Sequence, residues 1–204
     1  MATELKRVYL YSRFERFWHW VQALLIIVLA GTGFELHGAY HLLGYERAHE
    51  IHEFCAWSWF VLYAFIIFWM ATTGEWRQYI PTTKRMVDVC TYYCVGIFQG
   101  KDHPVPKSEQ VKHNPLQRMT YLGISLIIIP AQMITGFLYL FYNDWPAWGW
   151  SQALSLNVVA LIHTILAFAF VAFLVVHIYM TSTGHNVWAH MKAMLTGWED
   201  VKES

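Results

Sequence analysis

Residues 153–183 read ALSLNVVALIHTILAFAFVAFLVVHIYMTST, within a longer stretch, residues 145–191, that contains no Asp, Glu, Lys or Arg. A helix needs roughly 20 consecutive apolar residues to cross the hydrocarbon of a bilayer. Within lipid, every backbone polar group must be paired inside the segment, so this stretch predicts a membrane-crossing helix rather than a strand. Two histidines, His163 and His177, lie inside it.

Three other stretches have the same apolar character, and one of them, residues 119–142, also lacks charged side chains. The whole chain is 56% hydrophobic and only 14% charged, whereas soluble domains carry about 25% charged residues. The sequence thus predicts an all-α integral membrane four-helix bundle, formed as a single domain over residues 1–204. The predicted helices cover about residues 13–35, 48–74, 115–142 and 152–184.

The Lys and Arg residues predict the orientation, because they concentrate on the cytoplasmic side of a membrane. They crowd the N-terminal tail and the connection between helices two and three, whereas the two other connections contain only Arg47. We therefore expect a protein of the bacterial cytoplasmic (inner) membrane with both termini inside. Residues 82–98 mix apolar and polar side chains and predict a surface helix in the long connection. Because basic and acidic residues are equal in number and scattered, no nucleic-acid partner is expected.

Four histidines fall within or beside the apolar stretches, where ionisable side chains are costly and usually functional. His163 and His177 are 14 residues apart, which brings them to within roughly 40° of the same helix face and about 21 Å apart along the axis. With the predicted orientation, His19 begins helix one near the inner surface, at the depth of His177. His52 begins helix two near the outer surface, at the depth of His163.

The histidines thus form two pairs, one near each surface of the membrane. Facing histidines on neighbouring helices are how a helix bundle holds a haem iron from both sides. The pattern predicts two b-type haems, and the alternatives are structural histidines, proton transfer, or zinc, whose ligands would have to meet at one point. His49 lies one turn before His52, and the spacing leaves open which of them faces the outer haem.

Several segments spread over nearly the whole chain share a distinctive pattern. They are RFERFWHW at residues 13–20, IHEF at 51–54, HNPLQRMTYL at 113–122 and TGHNVWAHMKAMLTGW at 183–198, together with the histidine spacing of helix four. With these segments the chain resembles the di-haem cytochrome b subunits of membrane-bound nickel–iron hydrogenases, formate dehydrogenases and thiosulfate reductases. The histidine spacing by itself is shared with the bacterial stand-alone cytochromes b561.

The resemblance implies a role for each candidate site residue. It assigns His52 and His163 to the outer haem and His19 and His177 to the inner haem, and it favours His52 over His49. It also implies a quinone pocket near Asn114 and Gln117, whose side-chain amides can hydrogen-bond a quinone carbonyl. The alternative is that Asn114 and Pro115 simply begin helix three, as cap and first residue.

The function implied by this resemblance is electron transfer between a docked redox enzyme and membrane quinone, either menaquinone or ubiquinone. The expected partner is an iron–sulfur, hydrogenase or molybdenum-enzyme subunit on the outer face, so that the chain is not a complete enzyme alone. One alternative is a stand-alone cytochrome b561-like oxidase that passes electrons from superoxide to quinone. Another is a non-redox transporter or scaffold.

Overall fold

The computed structural model describes residues 5–101, 103–105, 108, 111–183 and 187–202. Most of these residues are helical, and a short two-stranded ribbon joins the two ends of the described chain. The helices are α1 Arg13–Leu36, α2 Tyr45–Thr73, α3 Met86–Cys94, α4 Pro115–Gly123, α5 Ile129–Leu140, α6 Trp145–Trp148, α7 Leu156–Thr181 and α8 Ala189–Thr196. The strands are β1 Leu5–Tyr9 and β2 Trp198–Lys202.

Four helical segments are long and apolar enough to cross a membrane, as the sequence predicts: α1, α2, the continuous run Pro115–Leu140 and α7. Their ends differ from the predicted ones by only a few residues. Many large apolar side chains on these segments are exposed, among them Leu24, Phe54, Ile127 and Val175. Exposed apolar side chains around a helix suit contact with lipid.

A π-helical turn, Ile124–Ile128, links α4 to α5, and Pro130 explains it. Proline has no N–H to donate and its ring disturbs the preceding helical turn. In a π-helical turn the carbonyl of Ser125 would pair with the N–H of residue 130. That residue is a proline, which has no N–H. The hydroxyl of Tyr63 on α2 donates to that carbonyl at 2.6 Å, so the group left over by the proline is satisfied by a neighbouring helix.

The ribbon of β1 and β2 is an addition to the predicted all-α fold. The strands pair antiparallel from Leu5 with Lys202 to Tyr9 with Trp198. Gly197 makes the pairing possible: its φ is 90°, and a Cβ there would lie 2.5 Å from Cε2 of Tyr9. Its carbonyl also accepts from the backbone N–H of Leu10 at 2.8 Å.

The chain divides into two compact units. Unit 1 comprises residues 1–18, 68–124 and 176–204, and unit 2 comprises residues 19–67 and 125–175. The predicted helix in the long connection is present as α3, in unit 1, with Val89 buried. Its place at a membrane surface stays a prediction, as does the single-domain organisation.

Unit 1 contains a buried ionic network centred on Lys112, which is 8% exposed. Its ammonium group lies 2.8 Å from a carboxylate oxygen of Glu15 and 3.3 Å from one of Glu75. Glu15 also accepts from the backbone N–H of Ser12 at 2.7 Å, and the Ser12 hydroxyl accepts from the N–H of Glu15 at 3.2 Å. This reciprocal pair caps α1, so the lysine connects the start of α1, the turn after α2 and the segment before α4.

Replacing Lys112 by Met should destabilise the protein strongly, because two carboxylates would lose their shared cation in a largely buried place. Removing one partner of a buried ion pair costs about 3 kcal/mol or more. Asp88→Asn provides the control, since the Arg85–Asp88 pair is half exposed and should cost less than about 1 kcal/mol. Unfolding in detergent followed by circular dichroism compares the two variants, and equal losses of stability would contradict the expected role of the network.

Candidate functional site

His52 is held on α2 by a threonine of α1, within unit 2. Its Nδ1 lies 2.9 Å from the hydroxyl oxygen of Thr32, which is buried. The Thr32 hydroxyl donates its single hydrogen to the carbonyl of Val28 at 2.8 Å, the usual bond of a threonine inside a helix. The threonine oxygen must therefore accept a hydrogen bond from Nδ1–H of His52.

His163 on α7 is held in the same manner by α5, also in unit 2. Its Nδ1 lies 3.1 Å from the hydroxyl oxygen of Thr135, which donates to the carbonyl of Ala131 at 2.8 Å. The amide nitrogen of Gln132 lies 3.1 Å from the other ring nitrogen, Nε2. An amide nitrogen can only donate, so Nε2 accepts and the ring hydrogen is on Nδ1.

Both rings are thus held as the tautomer that carries its hydrogen on Nδ1 and a lone pair on Nε2. This is the form in which histidine binds a metal through Nε2, because the hydrogen bond at the other nitrogen fixes the tautomer and the ring orientation. Both histidines belong to unit 2. The structure therefore brings two preoriented nitrogen ligands into one unit.

Each ring also packs against a glycine that follows its threonine. A Cβ on Gly136 would lie 3.2 Å from Cε1 of His163, and a Cβ on Gly33 would lie 3.6 Å from Cε1 of His52. The first distance is shorter than an ordinary van der Waals contact, and the second is within the ordinary range. The absence of a side chain at Gly136 is therefore needed for the position of His163.

His49 differs from His52 in its surroundings. It is exposed, and its ring stacks on Tyr45 with ring centres 6.2 Å apart. His52, in contrast, is half-buried and fixed by Thr32. The two histidines thus differ in burial and in fixation, and the choice of His52 as the ligand on α2 stays a prediction.

The two other predicted ligands, His19 and His177, belong to different units. His19 on α1 is half-buried, with its ring edge-to-face on Trp20 at 5.2 Å. His177 on α7 is also half-buried. Their joint role at an inner haem stays a prediction.

Asn114 and Gln117 form a capping box at the start of α4. Asn114 thus takes the cap position, and Pro115 is the first residue of the helix, as the alternative interpretation predicts. The Asn114 side-chain oxygen accepts from the N–H of Gln117 at 2.9 Å, and the Gln117 side-chain oxygen accepts from the N–H of Asn114 at 3.0 Å. The Asn114 amide nitrogen donates to the hydroxyl of Tyr93 at 3.0 Å and lies 3.4 Å from Nε2 of His103. Burial raises the pKa of Tyr93 above its ordinary value. Asn114 thus stabilises the start of α4, independently of any contact with quinone.

A zinc site is not favoured by the described part of the chain, which contains no group of three His, Cys, Asp or Glu side chains placed to hold a metal ion. Two histidines with lone pairs on Nε2 would suit haem, whose iron needs only two ligands from the protein, better than a tetrahedral ion.

Comparison with known proteins decides the family. The model of the family described as prokaryotic cytochrome b561 matches residues 10–197. The chain belongs to the prokaryotic cytochrome b561 family. Members are helical membrane bundles, so the predicted four-helix membrane fold is confirmed, and the family implies b-type haem as the cofactor.

Two relatives of this cytochrome b561 chain are similar over at least three quarters of their own length. A cytochrome named YdhU from Escherichia coli (strain K12) is 29% identical over 212 residues, covering 95% of this chain and 75% of the relative. A chain named as a Ni/Fe-hydrogenase B-type cytochrome subunit from Cupriavidus necator (strain ATCC 17699) is 26% identical over 204 residues, covering 86% and 79%. No solved structure matches the chain significantly.

The residues around His52 and His163 fit a b-type haem. Both Nε2 atoms carry lone pairs, and Gly136 lies where a side chain would press on the ring of His163. In addition, the side-chain oxygen of Gln132 is buried without a hydrogen-bond partner among the described residues, so this side chain is not fully satisfied beside His163. A haem at this site would be held by His52 and His163.

Sequence reasoning missed Thr32, Thr135 and Gln132. The dipeptide Thr-Gly could have drawn attention to the threonines, but it occurs five times, at residues 32–33, 73–74, 135–136, 183–184 and 196–197. Only the pairing of the helices distinguishes the two copies that contact histidines.

Gly136→Ala should lower haem retention, because the new Cβ would push the ring of His163 away from its position. Gly33→Ala is the matched control, since its Cβ has ordinary van der Waals space and alanine is the better helix former by about 1 kcal/mol at both positions. The haem-to-protein ratio of purified protein measures the effect, with circular dichroism to check folding. Full haem content in Gly136→Ala would mean that the ring does not need this clearance.

Proposed function

We propose that this cytochrome b561 protein is a transmembrane electron-transfer subunit that carries electrons through two b haems between a docked redox enzyme and membrane quinone. The observation that carries the proposal is the pair His52 and His163, each bonded to a threonine at Nδ1 so that its lone pair is on Nε2. The Cupriavidus necator relative, named as a hydrogenase cytochrome subunit, supports a partner enzyme of the hydrogenase type.

In this proposal His52 and His163 hold the outer haem, and His19 and His177 hold the inner one. Haem supplies a reversible one-electron centre when bound, and the protein supplies ligands, orientation and a low-dielectric surrounding. The threonine bonds keep the ring planes of His52 and His163 fixed, so the ligands need little rearrangement. The 14-residue separation of His163 and His177 on one helix supports two sites at different depths.

The proposed quinone site lies at the start of α4, in unit 1. Asn114 is buried there, and its amide nitrogen already faces two aromatic side chains, Tyr93 and His103. Aromatic rings and an amide donor suit the flat ring and the carbonyl of a quinone. Gln117 shares the cap, and its amide nitrogen is a second donor on the same turn.

The proposed setting is the bacterial inner membrane, with both termini inside and the partner subunit on the outer face. The excess of Lys and Arg in the N-terminal tail and in the long connection supports this orientation. The partner would exchange electrons with the site of His52 and His163, which the orientation assigns to the outer side.

A reduced-minus-oxidised visible spectrum of the purified protein tests the haem assignment. We expect two b haems per chain, and one remaining haem in His52→Ala and in His163→Ala. The double variant His52→Ala/His163→Ala should also keep one, because both residues hold the same haem. His49→Ala is the control and should keep two, since His49 is exposed. Wild-type protein without haem after haem-replete expression would reject the redox function.

Asn114→Asp and Asn114→Ala separate the cap from the quinone role. Aspartate keeps the side-chain oxygen that caps the helix, whereas alanine removes it at a cost of about 1 kcal/mol. Aspartate also puts a carboxylate in place of the buried amide that donates to Tyr93, so the stability of both variants is measured by circular dichroism. Aspartate lacks the amide donor, so both variants should raise the KM for a soluble quinol analogue that reduces the haems. An unchanged KM in Asn114→Asp would show that Asn114 serves the helix alone.

A further inference from the structure

The two threonine–histidine contacts of unit 2 share one arrangement although they come from different helices. In each case a buried threonine donates to the carbonyl four residues earlier and accepts from Nδ1–H of a histidine on the next membrane-spanning helix. In each case a glycine follows the threonine and faces the same ring. The same arrangement in two separate pairs of helices, α1 with α2 and α5 with α7, points to a requirement at the ring.

The position of the hydrogen on the ring has an electronic consequence. When Nδ1–H donates to an oxygen, the ring becomes more basic and Nε2 becomes a stronger donor to a metal. A stronger donor favours the ferric over the ferrous form of a bound iron. Two such bonds on opposite ligands of one iron act in the same direction.

We propose that Thr32 and Thr135 are positioning residues that lower the reduction potential of the haem held by His52 and His163. The inference rests on the proposed function, because it takes these histidines as ligands of one haem. Each threonine acts through a histidine and does not itself touch the iron. Their oxygens are well suited to this because the bonds to Val28 and Ala131 fix where the lone pairs point.

The membrane strengthens the effect of each hydroxyl. Within lipid, no water is available to replace a lost acceptor, so an unpaired polar group stays unpaired. Both threonines are buried, at 5% and 8% exposed. Removal of either hydroxyl should therefore take away one acceptor of Nδ1–H that water cannot replace, and Nε2 should become a weaker donor.

Redox titration of the full-length, haem-loaded protein tests the proposal, with absorbance of the two haems as the readout. In Thr32→Val and in Thr135→Val, we expect one haem to be reduced three- to tenfold more at a given potential, a tenfold change being 59 mV for one electron. Both variants should shift the same haem, and the double variant should shift it further. The other haem should keep its wild-type potential.

Thr164→Val is the matched control. Its hydroxyl donates to the carbonyl of Ala160 at 2.8 Å and lies 3.3 Å from Nε2 of His37. It therefore touches a histidine that is not a proposed ligand, through Nε2 rather than Nδ1 and with no glycine after the threonine. This variant shows whether loss of a helical threonine hydroxyl is enough to shift a potential. Both potentials should stay unchanged in this variant, and an equal shift there would overturn the proposal.

The conservative variants Thr32→Ser and Thr135→Ser keep the hydroxyl and should keep wild-type potentials. If the valine variants lose one haem, the proposal requires the serine variants to retain it. Loss of that haem in both kinds of variant would overturn it, as would valine variants with two haems at wild-type potentials, or with shifts in different haems. In either case wild-type protein with two haems would leave the proposed function standing, so the two failures are distinguishable.

Discussion

A polar group inside a membrane has no water to bond with, and this constraint explains most of the particular contacts in unit 2. Each unpaired donor or acceptor in hydrocarbon costs several kcal/mol. The carbonyl of Ser125, whose partner Pro130 cannot supply, is met by the hydroxyl of Tyr63. The same constraint gives each ring nitrogen of His163 a partner, Thr135 at Nδ1 and Gln132 at Nε2. The carbonyl of Ser125 and the ring of His163 are therefore each paired with side chains that the packing of the helices brings to them.

In unit 1 the polar groups that need partners are backbone N–H groups at the ends of the helices. There the N–H groups of α1 and α4 need partners, and they find them in Ser12 with Glu15 and in Asn114 with Gln117. The network of Lys112 then adds a cation to the same carboxylate that caps α1. A residue such as Asn114 can thus be required for the fold and for a ligand together, which is why its position in the sequence does not reveal its role.

The sequence was sufficient for the features that depend on composition and on single segments. Apolar length predicts the four spans, and resemblance favours His52 over His49, which its contact with Thr32 supports. The threonine contacts could not be predicted, since Thr32 precedes His52 by 20 residues and Thr135 precedes His163 by 28. Such separations become contacts only through the packing of helices. The ribbon of β1 and β2 escaped prediction for a similar reason, because each strand is five residues long and its partner lies at the far end of the chain.

The position of Gln132 bears on how haem would enter the site. Its amide donates to Nε2 of His163, and the single lone pair of that nitrogen cannot also bind iron, so the two interactions exclude each other. Loss of this acceptor would leave the Gln132 amide unpaired, at a cost of about 1–3 kcal/mol unless the side chain reaches another partner. The bond at Nδ1 is unaffected by the exchange, because it uses the other nitrogen. The ring can therefore keep one orientation throughout, with Thr135 fixed in place and only the Gln132 side chain moving aside.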